Sequence, residues 1–328
     1  MKHPSQWTRT DLHQHLQHAI DLEFWTIPLY LTALYSVKGL EGKPKKEHPI
    51  GAKLVESVVV QEMLHLEIAC NLSNALGHAP KFHKPVYDPA KGVPFIHPQS
   101  SIIPAFLKEY SVALRPLNRE ALKLFCVIEL PEIKNEAPWE SRPACHAIGE
   151  LYDALAVGVD ALWDQHFVGE AKNIKQKNNF REYHERSGRH HGFSQMIYSK
   201  ESAMRAIEAI IAQGEGANAQ HVPVDYQPED WKSEDADAVL FKSNLSHYQK
   251  FALLLHHHHQ LPEIYSCTQH PDHPLQGVLH SAYANFLQQM EFGFSEDGNN
   301  MPDTFWGSMF ALADKMTDLW KSGICPSF

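Results

Sequence analysis

With 328 residues, 43% of them hydrophobic, the chain is long enough for one large domain or two modest ones around a sizeable core. Its formal charge of −10, with 29 Lys and Arg scattered rather than gathered into stripes, argues against nucleic acid and anionic membrane as partners. There is no run of about 18 apolar residues and no apolar leader in MKHPSQWTRTDLHQHL, so a cytoplasmic protein with no membrane span is expected.

The first strong segment, Asp11 to about Val37, places Leu12, Leu16, Ala19, Glu23, Thr26, Tyr30 and Ala33 on one face of a long helix. Thr10 or Asp11 can cap it, and Pro28 is expected to kink it just past Glu23. After a linker from Lys38 to His48, a second helix carries Val55, Val58, Glu62, His65, Ala69, Leu72 and Leu76 in steps of three and four, with Gly77 at the C-cap. This is the seam of a bundle helix. His78 to about Leu117, rich in proline, reads as a long ordered excursion with short strands or turns. NREALKLFCVIELPE resumes a helix that Pro131 stops, and His146 to Gln165 is another. Gly169 to His191 is charged and irregular, which predicts an exposed loop. Helices follow over about Lys200–Gln213 and Asp235–His257, the latter with Leu240, Asn244, His247, Phe251 and Leu254 on one face. Two more, near Leu275–Phe292 and Pro302–Lys321, complete the chain.

Five cysteines without a CxxC give no disulfide framework and no thiolate zinc site, so buried reduced thiols are expected. Glu23 and Glu62 are the informative residues. Each lies within an apolar stripe, where an ionised carboxylate costs several kcal/mol unless something positive compensates it. A lone buried Glu is as readily explained by a buried Arg or Lys, but no basic residue shares either stripe. Glu62 and His65 are three apart, so a carboxylate and an imidazole leave one helical face a turn apart. Glu-x-x-His on one helix with a Glu from its neighbour is how four-helix bundles bind pairs of transition-metal ions. Carboxylate and imidazole together suit iron or manganese. A second half-set is then expected, with His247 inward, Asn244 three residues before it, and either Glu208 or Glu215 from the face Met204, Glu208, Ile211, Glu215. The run His256 to His259 reads instead as a solvated helix end, since successive helical residues diverge by about 100°; His258 alone continues the inner face. Glu129 and Glu132 read as local caps or salt-bridge partners. Nucleotide-binding and Ser-hydrolase motifs are absent.

The blocks LQHAIDLEFWTIPLYLTALYSVKG, QEMLHLEIACNLSNALGHAPKF, LKLFCVIELPE, AIGELYDAL, AIEAIIAQGEGA and LSHYQKF, in this order over about residues 12 to 251, resemble the ferritin-like family that includes the iminophenyl-pyruvate dimer synthase of violacein biosynthesis. The resemblance implies an all-α fold in one domain: a ferritin-like four-helix bundle over roughly 10–258 with a long crossover excursion, and accessory helices over roughly 275–321. It implies Glu23, Glu62, His65, Glu215 and His247 as metal ligands and prefers Glu215 to Glu208. Where members carry Glu-x-x-His-Tyr, this chain has His247 and Tyr248 but Asn244 in place of the Glu. The site therefore has one negative charge fewer, and it holds one metal ion or two. Tyr30 or Tyr248 is expected to hydrogen-bond or relay a proton there. The function implied is a metal-dependent, iron-based oxidoreductase-like or imine-coupling enzyme on a small organic substrate; the alternative is a non-catalytic metal-binding or structural protein. A homo-oligomer is compatible with either.

Overall fold

The computed structural model describes residues 1–44, 47–96, 103–131, 138–142, 144–169, 174–180, 196–214 and 245–328. Among these, eight α-helices carry the architecture: α1 (Arg9–Tyr35), α2 (Ile50–Ala75), α3 (Arg119–Ile128), α4 (Ile148–His166), α5 (Lys200–Gly214), α6 (His247–His256), α7 (Pro274–Ser295) and α8 (Asp303–Lys321). None is long and apolar enough to cross a membrane.

The helix ends follow from local chemistry. Thr8, rather than Thr10 or Asp11, caps α1 in a reciprocal box with Asp11, which satisfies two backbone donors that the first turn leaves open. The helix then runs unbroken through Pro28. α2 stops at Ala75, and Gly77 takes the left-handed conformation, φ 74°, that a helix C-terminus favours. The largest departure from expectation is at α6. Ser246, extended at ψ 168°, caps His247 in a box with Gln249, so the helix that carries His247 starts there; the start expected near Asp235 lies outside the described residues.

α1 packs along α2, and α4 packs on both α1 and α5. α3 packs on α6, and α2 also touches α5 and α6. This set encloses a continuous apolar core in which Leu12, Leu16, Val55, Val58, Phe125 and Phe251 are fully buried. Each such side chain contributes roughly 1.5–3 kcal/mol by leaving water. At Gly158 on α4 the Trp7 ring approaches so closely that a Cβ would lie 2.1 Å from it, which only glycine permits.

α7 and α8 pair with each other, α8 lies against α1, and Tyr283 and Phe286 of α7 meet Phe24 of α1. Trp320 Nε1 donates to Thr32 O at 3.2 Å, which fastens α8 to α1. Against the expectation of reduced thiols, Cys267 and Cys325 form a disulfide, with Cα atoms 5.2 Å apart. The pair is 58 residues apart, so no local motif announces it, and it joins the segment before α7 to the one after α8. Cys70, Cys126 and Cys145 are buried and take part in no disulfide, as expected. The described part of the proline-rich excursion holds turns, a 3-10 turn at Ala105–Leu107 and one isolated bridge, Ile96 to Cys145, instead of short strands.

Candidate metal centre

Four helices bring charged side chains to one point inside the bundle. Glu23 comes from the middle of α1, Glu62 and His65 from α2, Glu129 from the C-cap of α3, and His247 from the first turn of α6. All five are 3% exposed or less. Glu62 Oε1 lies 2.7 Å from His247 Nδ1 and 3.9 Å from His65 Nδ1, and Glu23 Oε2 lies 3.5 Å from His65 Nδ1. Glu129 Oε2 is 3.5 Å from His247 Nδ1. The two imidazoles stack with ring centres 5.2 Å apart. Glu62, His65 and His247 each offer one donor atom, all within 4.8 Å of one another.

A surrounding layer fixes these groups. His65 Nε2 faces Gln213 Oε1 at 3.1 Å, and His247 Nε2 faces Gln61 Oε1 at 3.2 Å. Lys250 Nζ donates to that same Gln61 oxygen at 2.7 Å, which sets the orientation of the amide. An amide oxygen can only accept, so each Nε2 carries the proton and each Nδ1 turns its lone pair toward the carboxylates. This is how metal-ligating histidines are held. Thr26 Oγ1 lies 2.7 Å from Glu62 Oε2 and 2.8 Å from Glu23 O, so one hydroxyl ties both helices. Tyr30 donates to Glu129 Oε1 and Tyr152 to Glu23 Oε1, each at 2.5 Å.

The electrostatics ask for a cation. Burial, then the carboxylates of Glu129 and Glu23, push the Glu62 carboxyl well above its usual range. Burial lowers His247 and brings Lys250 down to about 7, although Glu129 and Glu62 support its charge. Burial and the adjoining carboxylates raise both Tyr30 and Tyr152, so each phenol keeps its proton. His247 Nδ1 is fully buried and, for all its closeness to Glu62, makes no directed hydrogen bond among the described residues. A lone pair left in that position beside Glu62 and Glu129 fits a metal ligand; Lys250 offsets one negative charge only.

The other expected site residues fare differently. Glu208 is exposed, because α5 buries Ala203, Ala206, Ile207, Ile210 and Gly214 rather than the Met204–Ile211 face; this corrects its assignment as a ligand. Glu215 and Asn244 lie outside the described residues, as do Glu132, His190 and His191. With α6 starting at His247, the helical spacing that linked Asn244 to it does not apply. Tyr248 is buried, but after burial the group that acts on it is Cys126 and not a carboxylate of the centre. His258 is exposed, off the inner face predicted for it, while the solvated end expected for 256–259 is found, with three of the four rings exposed. The reading missed Glu129, Tyr152, Gln61, Gln213 and Lys250. Glu129 continues the stripe Leu122–Phe125 at the spacing that singled out Glu23, and that signal was available.

No curated protein matches the sequence. In overall structure the chain is similar to a ferritin like protein from Caulobacter vibrioides, with a TM-score of 0.76 and 27% identity over 98% of this chain and 99% of that one. The sequence profile described as ferritin-like matches residues 16–256, which runs from within α1 to the end of α6 and takes in every residue of the centre. On that match, the chain belongs to the ferritin-like family.

Proposed function

We propose that the protein is a metal-dependent enzyme whose centre takes iron, or manganese in its place, and acts on a small organic substrate in an oxidoreductase-type reaction or an imine coupling. The observation that carries this reading is the convergence of Glu62, His65 and His247 donor atoms within 4.8 Å, with the Glu23 and Glu129 carboxylates alongside. Mixed carboxylate and imidazole donors suit these metals. When bound, the ion supplies one-electron redox capacity and polarises a coordinated oxygen or nitrogen. The chain does the rest. Gln61 and Gln213 hold the two imidazoles in one tautomer, and Thr26 locks the α1 and α2 carboxylates together. Tyr30 holds a proton at Glu129 Oε1 and Tyr152 one at Glu23 Oε1, which makes these phenols the groups able to move a proton beside the centre. Among the described residues the packed core around the centre limits the access of water, its donors being 0–3% exposed.

In this reading the chain is a single domain, the centre holds one ion or two, and coupling of two imines as in the dimer synthase is one version of the reaction. A cytoplasmic location belongs to the reading too, and the Cys267–Cys325 disulfide counts against that part of it.

A second reading, a non-catalytic metal clip, is favoured by the near-complete enclosure of the donors, 0–3% exposed. Iron loading without oxygen, followed by admission of air, separates the two. The enzyme reading expects oxygen uptake and a changed optical spectrum in proportion to bound iron; retained but unreactive iron leaves the clip. Failure to retain either metal would contradict both.

A further inference from the structure

On another face of α2 from the metal centre, Met63 and Leu66 turn toward α7 and α8, where two neighbouring cavities of about 60 and 100 Å³ share the walls Phe24, Ile27, Met63, Phe286 and Met309. Thioether and aromatic walls are polarizable and favour an aromatic ring. Each cavity is smaller than the apolar cavity of about 150 Å³ known to accept benzene, so an aromatic ring has to span both, against the walls they share.

One charged residue, Glu67, lines the smaller cavity. It is 3% exposed. Its Oε2 accepts from Asn179 N at 3.1 Å and Nδ2 at 2.5 Å and the Phe180 backbone N–H also acts on the carboxyl, whereas Oε1 itself has no hydrogen-bond partner among the described residues. A buried polar oxygen left unmatched costs about 1–3 kcal/mol. The nearby Lys177 ammonium directs two of its three N–H groups to Glu296 O at 2.9 Å and Gly298 O at 2.7 Å, and none reaches Glu67 Oε1. The wall is also built rather than loose. Asn71 Nδ2 donates to Lys177 O and Lys177 N donates to Asn71 Oδ1, both at 2.8 Å, and Asn179 Oδ1 accepts from Met301 N at 3.1 Å. The segment carrying Asn179 is thereby fastened to α2 on one side and to the α7–α8 connection on the other.

We propose that this slot is a binding site for a small aromatic amine, its ring between the methionine and phenylalanine walls and its amino group donating to Glu67 Oε1. The site does not depend on the metal centre, and the two proposals fail separately.

Benzylamine is the probe, with toluene as the ring without the donor. In the full metal-free chain labelled with ¹³C at the methionine methyls, benzylamine should shift Met63, Met290, Met301 and Met309 saturably. Toluene should shift them with at least tenfold weaker affinity. Glu67→Gln should weaken benzylamine about tenfold and leave toluene unchanged; Glu67→Asp, which withdraws the carboxyl, should act in the same direction. Unshifted methionines at millimolar benzylamine, or equal affinity for benzylamine and toluene in the unaltered chain, would overturn the proposal. So would benzylamine binding that His65→Ala abolishes, since the amine would then occupy the metal centre.

Discussion

Two of the groups of neighbouring histidines among the described residues differ in what they face: one looks onto carboxylates and the other does not. At the start of α1, His13 pairs with His78 and His15 with His18, ring centres 5.0 and 5.5 Å apart. Their polar needs are met by the backbone, by Gln17 and by other rings: His13 donates to Leu76 O, His15 to Asp11 O, His78 Nε2 faces Gln17 Oε1 at 3.2 Å, and His15 and His18 stack on Trp7 and Phe95. Burial lowers all four. Inside the bundle, His65 and His247 are stacked at a similar distance, 5.2 Å, yet their Nδ1 atoms look onto Glu23, Glu62 and Glu129 while glutamine oxygens hold Nε2. A chain with 23 histidines is thus informative only through what each ring faces.

The comparison breaks first on metal. Glu62→Ala or His65→Ala should lower metal affinity by at least about 100-fold, beyond what loss of an orienting partner costs, while His13→Ala leaves metal content unchanged; elemental analysis after growth with iron reads both, and equal losses would erase the distinction. Next in size, Lys250→Met leaves the three carboxylates without their buried ammonium and should destabilise the metal-free protein by about 3–5 kcal/mol. Iron should restore much of that, and urea unfolding with and without metal measures it. Tyr152→Phe takes one donor from Glu23 and should cost roughly tenfold in metal affinity with little change of fold, read by competition with a chelator.

The smallest effect lies in the other cluster. Burial, then His15, brings His18 down to about 4. A depressed histidine is neutral when folded but takes a proton near pH 6.5 when unfolded, so stability falls as pH drops from about 6.5 toward 4. Because His18 is partly solvated, the loss should be on the order of 1 kcal/mol. His18→Gln should flatten that slope of unfolding free energy against pH, whereas an unchanged slope would place the titration elsewhere.

What the sequence revealed follows helix by helix. Glu23, Glu62 and His65 stand mid-helix in long apolar seams, where period alone fixes the inward face, and the structure brings these three together. The α3 and α6 side was harder to see, because its groups lie at helix ends. Glu129 is the C-cap of α3 next to the residues leading to Pro131, so a capping role hid it. His247 is at the first position of α6, where the Ser246 cap cuts off the spacing that pointed to Asn244. Lys250 was passed over because it belongs to a helix other than the two carrying the Glu stripes, and a tertiary contact through Gln61 does not show in the spacing along one helix. Glu208 went wrong because Met204 and Ile211 are only half-buried edges of a stripe centred on Ala206, Ile207 and Ile210.

The most direct test of the central claim is anomalous scattering at the iron edge from crystals of the iron-loaded protein. The account predicts a peak bounded by Glu62, His65 and His247, with the Glu23 and Glu129 carboxylates turned toward it. An empty centre with the anomalous signal at the exposed histidines of 256–259, or no ordered signal at all, would contradict it.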